Sequence, residues 1–252
     1  MSEAQDPSIL DVDLGNSAMK YRIGSFSGAV VHRVDGSADL AASELAAIDG
    51  GVIQRIRAGS VMGAARTQRF ADEASAAWGV EVEFAYSAPS AGGVTNGYAE
   101  PESLGVDRWL AVLAAFQRWR KALLVIDLGT AVTLDYVHDS GRHLGGYIVP
   151  GSHLMQSSLL KDTAAIDFRE PGQTLAHPLL PGESTAQAVS RGSVLALKHL
   201  IEREADTFGS QFSDGCVNVL CGGGSREIAN HLQGNFVVVP DLVLDGLSIA
   251  LP

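Results

Sequence analysis

Two short segments of the 252-residue chain carry the residue types that phosphate chemistry needs. One is Asp13-Leu14-Gly15-Asn16-Ser17, with Lys20 shortly after it; the other is Asp127-Leu128-Gly129-Thr130. Each places a carboxylate at the end of an apolar stretch and a glycine two positions later. Glycine lets the backbone turn tightly, so that successive N–H groups can point at phosphate oxygens. Asn16, Ser17 and Thr130 can add side-chain donors, Lys20 a compact positive charge, and Asp13 or Asp127 can hold a cation directly or through water. The same Asp-Leu-Gly sequence also serves an ordinary hairpin for its geometry alone. That it occurs twice favours the phosphate reading, because a cleft between two equivalent hairpins makes a good nucleotide site.

A third candidate is Gly105-Val106-Asp107-Arg108, where a long loop enters a helical pattern. Asp107 can take a proton from a substrate hydroxyl as it attacks phosphorus, and Arg108 can hold an anion or offset developing charge. An Asp in a first helical turn is equally favourable with the helix dipole and needs no catalytic role. Thr185 follows Ser184, which with Gln187 resembles a capping box; free N–H groups there favour an anion, or simply begin a helix. Gly145–Gly151 can hug a ligand or separate two turns. Cys221-Gly222-Gly223-Gly224-Ser225 can pass under an adenine or ribose, or serve tight strand-to-helix packing. His-Glu-x-x-His, Gly-x-Ser-x-Gly, Gly-x-x-x-x-Gly-Lys-Ser/Thr and Gly-x-Gly-x-x-Gly are all missing from the sequence. Cys216 and Cys221 have no neighbouring Cys or His partners for zinc.

These residues need strands and helices to hold them. Apolar alternation and Gly-containing turns predict strands over 9–14, 19–23, 29–34, 55–61, 80–85, 122–126, 132–137, 146–149, 216–220 and 237–239. Helical spacing predicts helices over 41–48, 64–78, 106–116, 184–205, 225–232 and 242–250. Residues 87–103 and 162–181, rich in turn formers, read as long loops. The segment 9–18 lines up with 123–132 at an offset of 114 residues, nearly half the chain. That echo predicts a duplicated α/β architecture, residues 1–118 forming one domain and 119–252 the other.

Composition narrows the partners. Eighteen Lys and Arg against 29 Asp and Glu give a net charge of −11. A generic electrostatic nucleic-acid binder needs the opposite sign, so no nucleic-acid partner is expected. The longest apolar run, Trp109 to Phe116, falls far short of the roughly 20 residues of a membrane helix, so no membrane partner is expected either. Two cysteines cannot build a disulfide framework, and the polar N-terminus lacks the form of a secretory signal. A cytoplasmic protein is expected.

Asp13-Leu-Gly-Asn-Ser-x-x-Lys20, Asn96-Gly97-Tyr98, Gly105-x-Asp107-Arg108, Asp127-Leu-Gly-Thr-Ala-x-Thr133, Gly145-Gly-Tyr-Ile-x-Pro-Gly151, Thr185-Ala-x-Ala-Val-x-x-Gly192 and Pro240-Asp-Leu-Val-Leu-x-Gly246 occur in that order. This ordered set resembles the type III pantothenate kinases, whose relatives include proteins named Bvg accessory factors. The resemblance implies two ribonuclease-H-like domains facing a cleft, the fold of the acetate and sugar kinase, Hsc70 and actin superfamily. It implies ATP-dependent phosphorylation of pantothenate to 4′-phosphopantothenate, the first step towards coenzyme A.

By the family pattern, Asp13, Gly15, Asn16, Ser17, Lys20 and Thr130 would bind ATP. Asp107 would be the general base, and Tyr98, Gly105, Val106, Asp107, Arg108 and Thr185 would contact pantothenate. Asp127 would bind a monovalent cation, potassium or ammonium, with magnesium travelling with ATP, in a homodimer. Two departures stand out: about seven residues, expected to be disordered, precede the first strand, and Gly222-Gly223-Gly224-Ser225 replaces a frequent Gly-Gly-Asp. A kinase of the same fold with another acceptor, or a non-catalytic nucleotide-binding regulator, would share much of the pattern. Retention of Asp13, Asp107, Arg108 and Asp127 weighs against the regulator.

Overall fold

The structure is a computed structural model that describes residues 8–24, 26–31, 53–162 and 180–252. The expected helix at 41–48, residues 1–7 and most of the loop at 162–181 lie outside the described residues. The chain forms two compact units, Met1–Gln117 with Asp241–Pro252 and Arg118–Pro240.

In the first unit, β1 (Ser8–Leu14), β2 (Ala18–Ile23) and β3 (Phe26–Val31) form an antiparallel meander, and β4 (Ile53–Ser60) and β5 (Val82–Phe84) extend it in parallel. The strand order is β3-β2-β1-β4-β5. Side chains alternate along β1: Leu10, Val12 and Leu14 are buried in an apolar cluster with Met19, Tyr21, Ile56, Ala58 and Phe70. Asp11 and Asp13 therefore project from the other face. Helix α1 (Ala64–Trp78) connects β4 to β5 and contributes Phe70 and Ala74 to the cluster.

The loop at 87–103 is more ordered than its composition suggests. It holds a two-residue hairpin, β6 (Ser90–Ala91) with β7 (Val94–Thr95), and a 3₁₀ turn over Pro101–Ser103. Helix α2 (Val106–Trp119) follows; every residue from Arg108 to Phe116 is buried.

The second unit repeats the plan. Strands β8 (Leu123–Leu128), β9 (Ala131–Val137) and β10 (His143–Pro150) form the meander, and β11 (Val217–Cys221) and β12 (Phe236–Val238) add in parallel, in the order β10-β9-β8-β11-β12. Among the described residues two helices lie between β10 and β11: α3 (Ser152–Asp162) and α4 (Thr185–Gly209). Helix α3 has no counterpart among the expected elements, because SHLMQSSLLKD lacks a clear apolar stripe. Helix α4 buries Val194, Leu197, Ile201, Ala205 and Phe208 against Leu124, Ile126 and Leu134. The short α5 (Ser225–Ala229) leads to β12.

The closing helix α6 (Leu242–Ala250) lies against β1, β2 and β4. The expected single division near residue 118 leaves those last residues with the second half, whereas Asp241–Pro252 clusters with the first unit. The reason is physical: Leu242, Val243, Leu244 and Leu247 are buried, and Gly246 meets the backbone of Leu110 on α2 so closely that a Cβ would overlap it.

Candidate active site

In the first unit, the β1–β2 turn is closed by the Gly15 N–H donating to the Ala18 carbonyl (3.1 Å), leaving Asn16 and Ser17 exposed at its tip. Asp13 sits at the strand end, buried, with Lys20 and Gly59 as its cross-strand partners on β2 and β4. Gly59 matters because a Cβ there would stand 2.9 Å from Leu110 Cδ1 and 3.9 Å from Val106 Cγ1. A side chain at residue 59 would require the Leu110 side chain to move; glycine lets Leu110 and the start of α2 pack close beside the row that holds Asp13.

That first turn carries Gly105 to Arg108. The Asp107 Oδ1 accepts the Arg108 N–H at 2.8 Å, and a Cβ on Gly105 would stand 2.7 Å from the same oxygen. Gly105 thus keeps clear the space around the carboxylate. Arg108 turns into the protein instead of projecting outward. It is buried, donates to the Tyr98 hydroxyl (2.7 Å), and its guanidinium carbon lies 5.6 Å from the centre of the Tyr98 ring. Its planar charge is therefore partly engaged in placing Tyr98.

Asn96 fixes the loop that presents Tyr98. Its amide donates to the carbonyls of Ala88 (3.3 Å) and Pro101 (3.0 Å), and its Oδ1 accepts the Tyr98 N–H (3.0 Å). The Ser87 hydroxyl ties the same loop to the Leu104 carbonyl at 2.8 Å. In the sequence Asn96 stands in a motif without a role of its own, and Gly59 and Ser87 stand in no motif. A glycine near the end of a strand was the only available signal for the second, and nothing local marked the third.

In the second unit, Gly129 N–H donates to the Ala131 carbonyl (3.0 Å), the same kind of closing bond around a turn one residue shorter, with Gly129 and Thr130 exposed. Asp127 pairs with Thr133 across the hairpin and with Cys221 on β11. Just beyond β11, Gly222 has φ +83°, and a Cβ on it would overlap Asp127 Oδ1. The glycine run therefore lets a backbone pass directly against the carboxylate. Ser225 closes that turn by donating its hydroxyl to the Gly222 carbonyl (2.7 Å).

The carbonyl oxygens of Gly129 and Thr130 converge on Gly151, whose Cβ would stand 2.7 Å and 2.6 Å from them. The Thr130 carbonyl accepts the Gly151 N–H (3.0 Å), and Asp127, at the end of β8, brings a carboxylate oxygen, a hard donor, to the same turn. Among the described residues no group of three or more His, Cys, Asp or Glu could hold a metal alone. A divalent ion here would draw most ligands from phosphate and water, as magnesium does. A cavity of ≈ 60 Å³ lies beside the turn, walled by Leu128, Val132, Val194 and Ile228, with Ser152 and Glu227 as its polar members. Thr185 is exposed as the first residue of α4. Its preceding Ser184 accepts the Gln187 N–H (3.2 Å), and Gln187 Oε1 accepts the Glu183 N–H (3.0 Å).

Comparison with known proteins decides what this set of residues belongs to. The family described as type III pantothenate kinase matches residues 9–207. A type III pantothenate kinase from Ectopseudomonas mendocina (strain ymp) is 40% identical over 251 residues, covering 97% of this chain and 99% of that protein. One from Pseudomonas syringae pv. syringae (strain B728a) is 39% identical over 249 residues, with the same coverage. The chain belongs to the type III pantothenate kinase family.

Solved structures agree at the level of fold. A Campylobacter jejuni chain described as a Baf family transcriptional activator superposes with TM-score 0.58 at 17% identity, covering 95% of each chain. A Sinorhizobium meliloti chain described as a 2-dehydro-3-deoxygalactonokinase gives 0.53 at 16%, covering 95% of this chain and 97% of that one. With the repeated sheet order, this is the fold of the acetate and sugar kinase, Hsc70 and actin superfamily, built from two ribonuclease-H-like domains. As in other type III pantothenate kinases, the reaction to be explained is transfer of a phosphoryl group from ATP to an alcohol.

Proposed function

We propose that this chain phosphorylates pantothenate with ATP to give 4′-phosphopantothenate, the first step of coenzyme A synthesis, with Asp107 as general base. The observation that carries this reading is the placement of Asp107. The first turn of α2 rests beside the Asp13–Gly59 row, within a chain 40% identical to a type III pantothenate kinase over nearly its whole length.

In-line transfer asks for positioning and charge neutralisation more than covalent chemistry. The pantothenate hydroxyl attacks the γ-phosphorus while its proton passes to the Asp107 carboxylate; the bond to the β,γ-bridging oxygen breaks and ADP leaves. Tyr98, held by Arg108 and by the Asn96 staple, would contact pantothenate together with Gly105, Val106 and Arg108. Thr185 would add a hydroxyl and the donors at the head of α4. Asp13, Gly15, Asn16, Ser17 and Lys20 would hold phosphate in the first unit, and Thr130 in the second. Magnesium bound with ATP would supply neutralisation of phosphate charge, and Asp13 would hold it through water. Asp127 and the carbonyls beside it would hold potassium or ammonium.

The working form would be a homodimer in the cytoplasm. Strand β10 lies at the edge of the second sheet and exposes Tyr147 (54%) and Ile148 (62%), an apolar edge suited to a second copy. Among the described residues no helix is long and apolar enough to cross a membrane.

The test is ADP release measured with pantothenate and magnesium-ATP in potassium or in sodium. Pantothenate-dependent turnover that rises in potassium, with phosphopantothenate identified by mass, is the expected result. Equal turnover in both salts would remove the cation role of Asp127, and ATP consumption that ignores pantothenate would remove the acceptor.

A further inference from the structure

We propose that Arg22 and Arg57 are positioning residues for Asp107, acting through Asp11 and helix α6 to fix where α2 begins. This rests on Asp107 being the base of the reaction.

The polar face of the first sheet carries two adjacent cross-strand rows. Asp13 is flanked by Lys20 and Gly59, and one step earlier Asp11 is flanked by Arg22 and Arg57. Only the first row belongs to the phosphate turn. In the second, Arg57 grips Asp11 with two bonds, Nε to Oδ1 at 2.7 Å and Nη2 to Oδ2 at 3.1 Å, while Arg22 Nη2 reaches Oδ2 at 3.1 Å. The Asp11 and Arg57 side chains are 5% and 9% exposed, so one buried carboxylate joins two guanidinium groups.

Both arginines then reach the end of the chain. Arg22 donates to the carboxylate of Asp245 and to the Leu244 carbonyl (3.0 Å), and Arg57 Nη1 donates to the Leu251 carbonyl (3.2 Å). Arg22 and Arg57 against Asp11 and Asp245 leave the group electrically balanced. Each guanidinium is spread over β1 and the last residues of the chain, Arg22 onto α6 and Arg57 onto the Leu251 carbonyl just past it, and a planar fork holds such divided contacts better than an ammonium.

The helix so anchored is in contact with the catalytic element. Gly246, next to Asp245, presses on the Leu110 backbone, one turn from Asp107 on α2. Leu110 also meets Gly59, two residues beyond Arg57 on β4. Helix α2 is therefore held at one point from two sides, by β4 and by α6, and both supports are tied to Asp11. Loss of an arginine bond frees α6 to shift, and the shift reaches the turn that carries Asp107. Small misplacements of a reacting group are costly in rate, while substrate binding by other residues is kept.

The experiment compares the full chain with Arg22→Gln, Arg22→Lys and Asp245→Asn, the last at a half-exposed site whose removal leaves Arg22 paired with Asp11. Kinetics and amide hydrogen exchange are measured on each folded protein. Positioning predicts kcat lower by about tenfold or more in Arg22→Gln with both KM values nearly unchanged, and partial recovery in Arg22→Lys. It also predicts exchange over residues 106–112 faster by about tenfold while α1 stays protected as before. Unchanged kcat and unchanged exchange at 106–112 in both Arg22→Gln and Asp245→Asn would overturn the proposal, as would uniform loss of protection across the first unit. If the unaltered chain fails to turn over pantothenate, the proposed reaction fails. The exchange comparison still decides whether the arginines fix the start of α2.

Discussion

Asp107 and Arg108 are neighbours with different environments, and the contrast separates their roles. The Asp107 carboxylate accepts the next residue's N–H and is left room by Gly105, whereas Arg108 is buried on Tyr98. Replacing Asp107 with Asn keeps that N–H contact and the shape, but removes the proton acceptor. Turnover is expected to fall about 10²–10⁴-fold with an unchanged melting temperature; a rate within threefold or so of the original would end its assignment as base. The Asp-Leu-Gly turns and the Gly-x-Asp-Arg motif were legible in the sequence because backbone geometry and chemistry sit in consecutive residues. The Asn96 staple and the inward course of Arg108 were not legible, since both depend on partners the loop fold supplies. Cys216 adds a second test at this scale. Burial pushes its thiol up to about 11, and Cys221 is fully buried. At pH 8 only about one Cys216 in a thousand is thiolate, so thiol reagents should label the folded protein slowly and both cysteines promptly after unfolding. Rapid labelling of native protein would contradict that burial.

Hairpins and helix ends are where local sequence most directly fixes structure. The two Asp-Leu-Gly hairpins share a closing bond from glycine N–H to alanine carbonyl, yet Gly15-Asn16-Ser17 spans the first turn and Gly129-Thr130 the second. An ungapped alignment of the sequences therefore stays in step up to the glycine and slips by one residue after it, so that Lys20 corresponds to Thr133 in register. Helices α1 and α6 are legible to the residue, having sharp apolar spacing, whereas α3 is not, its polar and apolar residues being mixed around its surface. The capping of α4 by Ser184 was readable because Gln187 follows at the right spacing. Ser184→Ala should cost about 1 kcal/mol, lowering the melting temperature by roughly 2–4 °C. If Thr185 contacts pantothenate, the frayed helix start should also raise the KM for pantothenate and leave that for ATP unchanged. A KM for pantothenate that does not move would separate Thr185 from the substrate.

At the scale of the whole molecule, the repeated order β3-β2-β1-β4-β5 and β10-β9-β8-β11-β12 makes the duplication a property of topology, and the echo between residues 9–18 and 123–132 is its trace in sequence. The return of Asp241–Pro252 to the first unit left no such trace, because it depends on contacts such as Arg22 with Asp245, 223 positions apart. The exposed Tyr147 and Ile148 on the β10 edge give the proposed homodimer its test. Light scattering should find a dimer, and Ile148→Lys should shift it to monomer while leaving the fold intact; a dimer that survives the substitution would place the interface elsewhere. The discontinuous first unit also has a history during synthesis. Its sheet leaves the ribosome first, but its covering helix leaves last, roughly 10–40 s later at ordinary translation rates. The continuous second unit can close in the interval. Through that wait the part of the β1–β2 face that the last helix will cover shows water Asp11 on β1 and Arg22 on β2, not a second apolar surface. The ion row that later anchors the helix thus keeps that part of the nascent sheet wettable until its cover arrives.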